Sequence, residues 1–390
     1  MRPHLTNLPV WQKKDAAALL IALVLAGAVS WPIFRANVFD PGRLNDFADH
    51  VAFAGLLAEG REIPPHILAH SLLQWLILLV SRVLGVSVQW AALGVMVGAN
   101  LVSTLLVFGL VRGRGGQTSA WTAAGAAAAM LFASPLAVYL WQDGYYYLGY
   151  VGVVTFHNPT IILLRPLALV NFMLLPQVIG EGRAPAWVFW AAAITSLLAA
   201  FIKPNYAICA LPVLGLAAGA ALLRGKTVRW GLIAGGFVIP TVGMLAWQFL
   251  TTYGDESGGI LFAPLAVMRS YTTLGLPLRF LSSIWFPLLT CALFWRAARE
   301  DALTRWGWAV FALGAFYTYF MAEGGERFQH GNFGWSGEIA LYLLFAAVLA
   351  LLARQSRGWR WWVCWLAGLL PHAAFGAAYY TALLGGRLFY

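Results

Sequence analysis

The sequence predicts an all-α polytopic membrane protein: about eleven transmembrane helices, with one or two interfacial helices in the first outer loop. Three observations predict it. Of 390 residues, 61% are hydrophobic, and mean hydropathy is +0.74. Only 10% are charged, against about 25% in ordinary soluble domains. The apolar residues also come in runs of about 20, the length a helix needs to cross a bilayer. So much apolar surface, including 19 Trp, 24 Phe and 14 Tyr, could not be hidden in a soluble globule. That excludes a cytosolic enzyme, a secreted disulfide domain and a disordered chain. A transmembrane β-barrel is disfavoured because unbroken runs replace the alternation its strands show.

The N-terminus carries Arg2, Lys13 and Lys14 ahead of an apolar run from about Ala16 to Phe34. That run exceeds a signal-peptide core, and further spans follow, so it reads as a retained signal-anchor. Apolar runs then recur at 89–111, 119–141, 159–180, 186–202, 205–223, 229–250, 276–295, 305–321, 336–353 and 361–383. Residues 35–88 form the first outer loop of a single membrane domain spanning 1–390. Cys209, Cys291 and Cys364 sit singly in apolar runs, which suits small core residues better than a disulfide or a zinc site.

Charge sets the orientation. With a cytoplasmic N-terminus, the inner loops collect Arg2, Lys13, Lys14, Arg112, Arg114, Arg183, Arg224, Lys226, Arg229, Arg296, Arg299, Arg305, Arg354, Arg357 and Arg360. That is 15 of the 25 basic residues, beside only Asp15, Glu181, Glu300 and Asp301. This is the positive-inside pattern of a plasma-membrane protein, and it accounts for the net +10 without a nucleic-acid partner. It holds only if the apolar stretch 67–84 does not cross, so that stretch reads as a helix at the outer interface.

Residues able to do chemistry gather on the outer side. The first loop carries Asp46, Asp49, His50, His66 and His70. If a helix opens there, Asp46, Asp49 and His50 stand at i, i+3 and i+4. They could form a general base, a divalent-cation site or a plain helix cap. His66 and His70 have metal-ligand spacing without the glutamate of an HExxH motif, and contact with a polar head group or an active-site carboxylate is the better reading. The second loop has Asp143, Tyr145, Tyr146, Tyr147 and Tyr150, then His157-Asn158-Pro159-Thr160. The tyrosines and Trp141 suit either an interfacial aromatic belt or a sugar-stacking platform, and Gly144, Gly149 and Gly152 would let the chain fold back there. Later outer segments supply Lys203, Asp255, Glu256, Glu323, Glu326, Arg327, His330, Asn332 and Trp335. Arg165, Lys203 and Glu338 lie within or against apolar runs. A charge there costs about 2.5–3.5 kcal/mol unless it snorkels, pairs or lines a cavity. Arg165 and Lys203 therefore read either as structural ion-paired groups or as binders of a phosphate at the membrane edge.

Several motifs together resemble the GT-C superfamily of integral-membrane glycosyltransferases, which use polyprenyl-phosphate-linked sugars. They are Asn45-Asp46-Phe47-Ala48-Asp49-His50, Pro65-His66-Ile67-Leu68-Ala69-His70, His157-Asn158-Pro159-Thr160, Ile202-Lys203-Pro204-Asn205 and Glu326-Arg327 … His330-Gly331-Asn332-Phe333. One departure is the Asp-x-x-Asp spacing, where family members often show Asp-x-Asp or Glu-x-Asp, so either aspartate could match the catalytic one. No soluble outer domain accompanies the spans.

The resemblance implies an inverting transfer at the periplasmic face of a bacterial cell-envelope membrane. Asp46 or Asp49 would be the base. His50, His66, His70, His157, Asn158, Arg165, Lys203, Glu326, Arg327, His330 and Asn332 would bind the substrates. The partners implied are a polyprenyl-phosphate-linked sugar, a glycan, lipid or protein acceptor, and membrane lipid. No metal ligands are assigned. Superfamily members differ on a divalent cation, so that cofactor stays open. Two other classes fit the composition: a polymerase or ligase of lipid-linked glycans, and a flippase or transporter. The first would favour a large loop late in the chain, whereas the largest here is the first. The second would place ionisable groups near the midplane of two repeated halves.

Overall fold

Helix length and apolarity decide which segments can cross a bilayer. The computed structural model describes residues 13–40, 46–113, 118–138, 149–253, 259–273 and 275–386. Arg2, Arg43, Asn45, Arg114, Trp141, Asp143, Gly144, Tyr145, Tyr146, Tyr147, Asp255 and Glu256 lie outside them. The chain is an all-α polytopic membrane protein. Among the described residues eight helices are long and apolar enough to span a membrane.

In chain order the main helices are α1 (Lys13–Phe39), α2 (Asp46–Ala58), α3 (Leu72–Leu84), α4 (Val88–Arg112) and α5 (Ala120–Phe132). They continue as α6 (Pro159–Leu174), α7 (Ala186–Ile202), α8 (Asn205–Leu223), α9 (Ile239–Tyr253), α10 (Leu276–Leu293) and α11 (Ala302–Phe320). Last come α12 (Gly334–Ala353) and α13 (Leu370–Leu384). A π-helical turn, Leu232–Val238, leads into α9, and another, Cys364–Leu369, leads into α13. Strands β1 (Ile260–Phe262) and β2 (Met321–Glu323) pair antiparallel beyond the ends of α9 and α11.

Three of the eleven expected spans fall outside the set of eight: α5, α7 and α11. The run expected at 119–141 is helical only to Phe132. Pro135 lacks an N–H and disfavours helix at Ser134, so the chain continues without helix. Its backbone is satisfied by protein instead. Ser134 N donates to His372 O (3.2 Å), Leu136 N to Ser282 O (3.3 Å), and the His372 ring bonds Ser134 O (2.5 Å). Irregular backbone at membrane depth survives only with such partners.

Orientation is legible in the ion pairs. Arg112, ending α4, meets Asp15 in the first turn of α1 at 2.9 Å, with both side chains nearly buried. The two helices are therefore antiparallel, and α2 and α3 stay at the end where α1 finishes. With 13 residues, α3 is about 20 Å long, short of the roughly 30 Å hydrocarbon layer. Arg354 pairs with Asp301 at 2.7 Å, Thr118 Oγ1 donates to Ala353 O, and Arg357 reaches Thr122, so these residues share the same basic end.

At the centre stands α12, buried on every side from Ile339 to Leu352. A helix apolar all round belongs in such a position. It packs most extensively against α11, where Gly314 lets the backbones close. A Cβ on Gly314 would lie 2.6 Å from Ser336 O.

Candidate functional site

One large cavity, of about 950 Å³, opens at the end opposite the Asp15–Arg112 pair. Short irregular joints supply its polar side. At the end of α7 the helix stops at Lys203 because Pro204 follows. Lys203 takes an extended conformation (φ −164°), and its side chain lines the cavity. At the start of α6, Asn158 caps the helix, accepting from Ile161 N at 3.0 Å, with Pro159 in the first turn. Because the Asn158 Oδ1 atom takes that N–H, its Nδ2 must point the other way. It donates to Asp46 Oδ2 at 2.6 Å.

A continuous set of bonds follows. Asp46 accepts from Asn158, Thr160 Oγ1 donates to Asn158 Oδ1 (2.7 Å), and Lys203 Nζ reaches Thr160 Oγ1 (3.2 Å). Lys203 Nζ also lies 5.0 Å from the centre of the Trp335 ring, and the His157 ring meets that indole at 5.7 Å, tilted by 53°. His157 Nδ1 contacts Tyr379 OH at 3.3 Å. Asn332 donates to Glu323 at 2.5 Å, and Asn205 Nδ2 holds Asn332 O at 2.8 Å. Two cations, Lys203 and Arg327, thus share the cavity with two carboxylates, Asp46 and Glu323.

Burial shapes the protonation. Desolvation raises the Asp46 carboxyl, opposed by Lys203 and the Asn158 bond. It lowers Lys203 to about 8, against the pull of Asp46, Glu338 and Glu323. Burial, aided by Lys203, lowers His50, His70 and His157 to about 4 each, so these imidazoles are neutral at pH 7.

The opposite wall is apolar. Val242, Leu245, Ala246 and Phe249 repeat along one face of α9, joined by Ile67, Ile202, Ile208 and Ile260. Val242 and Phe249 are also about half exposed, so this wall is not covered by other parts of the protein.

Of the thirteen residues singled out in the sequence, ten line this cavity: Asp46, His50, His66, His70, His157, Asn158, Lys203, Arg327, His330 and Asn332. Three do not. Asp49 is exposed on the outer flank of α2, since i+3 and i+4 lie about 100° apart on a helix and only His50 follows Asp46 inward. Glu326 is exposed on the 3₁₀ turn Gly325–His330. Arg165 lies six residues into α6, about 9 Å deeper than its start. It is buried, donating to Val153 O (3.1 Å) and Thr155 Oγ1 (3.3 Å), with its guanidinium 5.4 Å from the Tyr342 ring centre. Tyr150, from the tyrosine cluster, is buried beneath Arg279 at 4.7 Å, so it is neither a belt residue nor a sugar platform.

Gln74 and Gln248 belong to none of the sequence motifs, yet their amides contact His50 and His70 at 2.8 and 2.9 Å. A polar amide alone in an apolar run, as Gln248 is in Met244–Leu250, is the signal that could have found it. No group of three His, Cys, Asp or Glu side chains among the described residues is arranged to hold a metal ion. Comparison with family profiles, curated proteins and solved structures finds no match to this chain.

Proposed function

We propose that the protein is a membrane glycosyltransferase of the GT-C kind, moving a sugar from a polyprenyl-phosphate donor to an acceptor hydroxyl at the outer face. The observation that carries this reading is the placement of Asp46 and Lys203 in one cavity, joined through Asn158 and Thr160, opposite an apolar wall open along α9. The prenyl chain lies against Val242, Leu245 and Phe249, and the phosphate meets Lys203 and Arg327. Asp46 takes the proton from the acceptor hydroxyl as its oxygen bonds the anomeric carbon. The bond from that carbon to the phosphate oxygen breaks, and the lipid phosphate leaves with the negative charge, held by the two cations. The displacement is single and inverting, so one carboxylate suffices and Asp49 has no part. Arg165 is too deep to touch the phosphate and serves the helix packing.

The test is sugar transfer by the full chain in proteoliposomes loaded with a panel of polyprenyl-phosphate-linked hexoses and pentoses. Asp46→Asn is expected to lower transfer by at least about 100-fold at unchanged protein level. Asp49→Asn is expected to leave it within about twofold. Retained transfer in Asp46→Asn would overturn the assignment of the base.

A further inference from the structure

The amide nitrogen of Gln248, with two protons to donate, faces two carbonyl oxygens and one ring nitrogen. Its Nε2 lies 2.7 Å from Ala200 O, 3.0 Å from Ala69 O and 2.9 Å from His70 Nδ1. The two carbonyls settle which way the amide points. Turned over, its oxygen would face two carbonyl oxygens, and its NH₂ would fill the buried place where Oε1 now finds no partner. The nitrogen facing His70 is therefore a donor without a lone pair to offer. A proton on Nδ1 would point at that NH₂ and find no acceptor, so the ring must keep Nδ1 bare.

We propose that Gln248 is a positioning residue that holds His70 as the neutral tautomer protonated at Nε2. The ring then presents an uncharged N–H donor to an oxygen acceptor of the cavity ligand, either a phosphate oxygen or a sugar hydroxyl. It rests on the reading above only for the nature of that ligand. The groups whose charge acts on His70 are Lys203, Arg327, His66 and His50, with the carboxylates Asp46 and Glu323 elsewhere in the same cavity. All four oppose an imidazolium there, which agrees with a ring lowered to about 4, chiefly by burial. A neutral donor suits a cavity that already holds two cations, Lys203 and Arg327. It binds oxygen without adding a charge that would compete with Lys203 for the phosphate.

Nitrogen-15 NMR of histidine-labelled full-length protein in lipid nanodiscs tests this without any substrate. His70→Asn assigns the resonance. The expected wild-type spectrum shows His70 with bare Nδ1 and protonated Nε2 from about pH 8 down to about pH 5. A ring protonated at Nδ1, or one that titrates near its ordinary value, would overturn the proposal. Gln248→Met keeps the volume and removes the donor, and is expected to show both tautomers. A spectrum unchanged by it would equally refute the role of Gln248. Failure of sugar transfer would leave this measurement untouched, so the two readings fail separately.

Discussion

At the scale of single residues, burial moves Lys203 down and Asp46 up from their ordinary protonation ranges. Lys203 is protonated below about 8 and neutral above it. Affinity for an anionic head group is therefore expected to fall as pH rises through that value. Binding of polyprenyl phosphate to the protein in nanodiscs, measured at about pH 7 and about pH 9, checks it. Lys203→Met should weaken binding about 10- to 100-fold at the lower pH and remove most of the difference between the two. An unchanged pH dependence in that variant would place the titrating group elsewhere. Asp46 has the opposite logic: in the proposed reaction its raised carboxyl must be ionised to accept the proton, so the acid limb of sugar transfer is expected above the ordinary carboxylate range.

At the scale of elements, small residues and prolines decide how closely helices approach and where they stop. Gly314 of α11 faces Ser336 and Ala340 of α12, and any side chain there must move backbone. Gly314→Leu is expected to destabilise the fold by about 1–3 kcal/mol or more, seen as a lower midpoint in thermal unfolding in detergent. Gly94 of α4 has open space where a Cβ would go, and Gly94→Ala should leave the midpoint nearly unchanged. Prolines shape the site by the same local logic. Pro204 stops α7 at Lys203, and Pro159 starts α6 after Asn158, so both polar side chains fall at helix ends rather than inside spans. Those joints were readable in the sequence as His-Asn-Pro-Thr and Lys-Pro-Asn. The end of α5 was not, because its residues past Pro135 are apolar enough to pass for more helix.

Across the whole molecule, the chain separates a basic end from an end that holds the cavity. The Asp15–Arg112 and Asp301–Arg354 pairs belong to the first, and the Asp46–Lys203 set to the second. Single cysteines replacing the exposed Glu62 and Glu326 are expected to react with an impermeant maleimide from one side of the membrane. Cysteines replacing the exposed Arg183 and Arg299 are expected to react only from the other. The three native thiols are buried, so they give little background. Labelling of Glu62→Cys and Arg299→Cys from the same side would contradict the antiparallel arrangement.

Composition and run length by themselves determined that this chain lives in a membrane, roughly where its helices lie and at which end its basic residues collect. These properties depend on each segment's own transfer from water, which a segment carries wherever it packs. Tertiary structure alone decided which polar groups meet. Asp46 and Asn158 are 112 residues apart, Asn205 and Asn332 are 127, and His70 and Gln248 are 178. No periodicity reports contacts at such separations. Asp49 and Asp46 are alike in the sequence, yet the turn of α2 sends one outward and the other into the cavity. Arg165 and Lys203 both look like buried cations in apolar runs. The first is buried along α6 against Val153 and Thr155, and the break at Pro204 turns the second into the cavity.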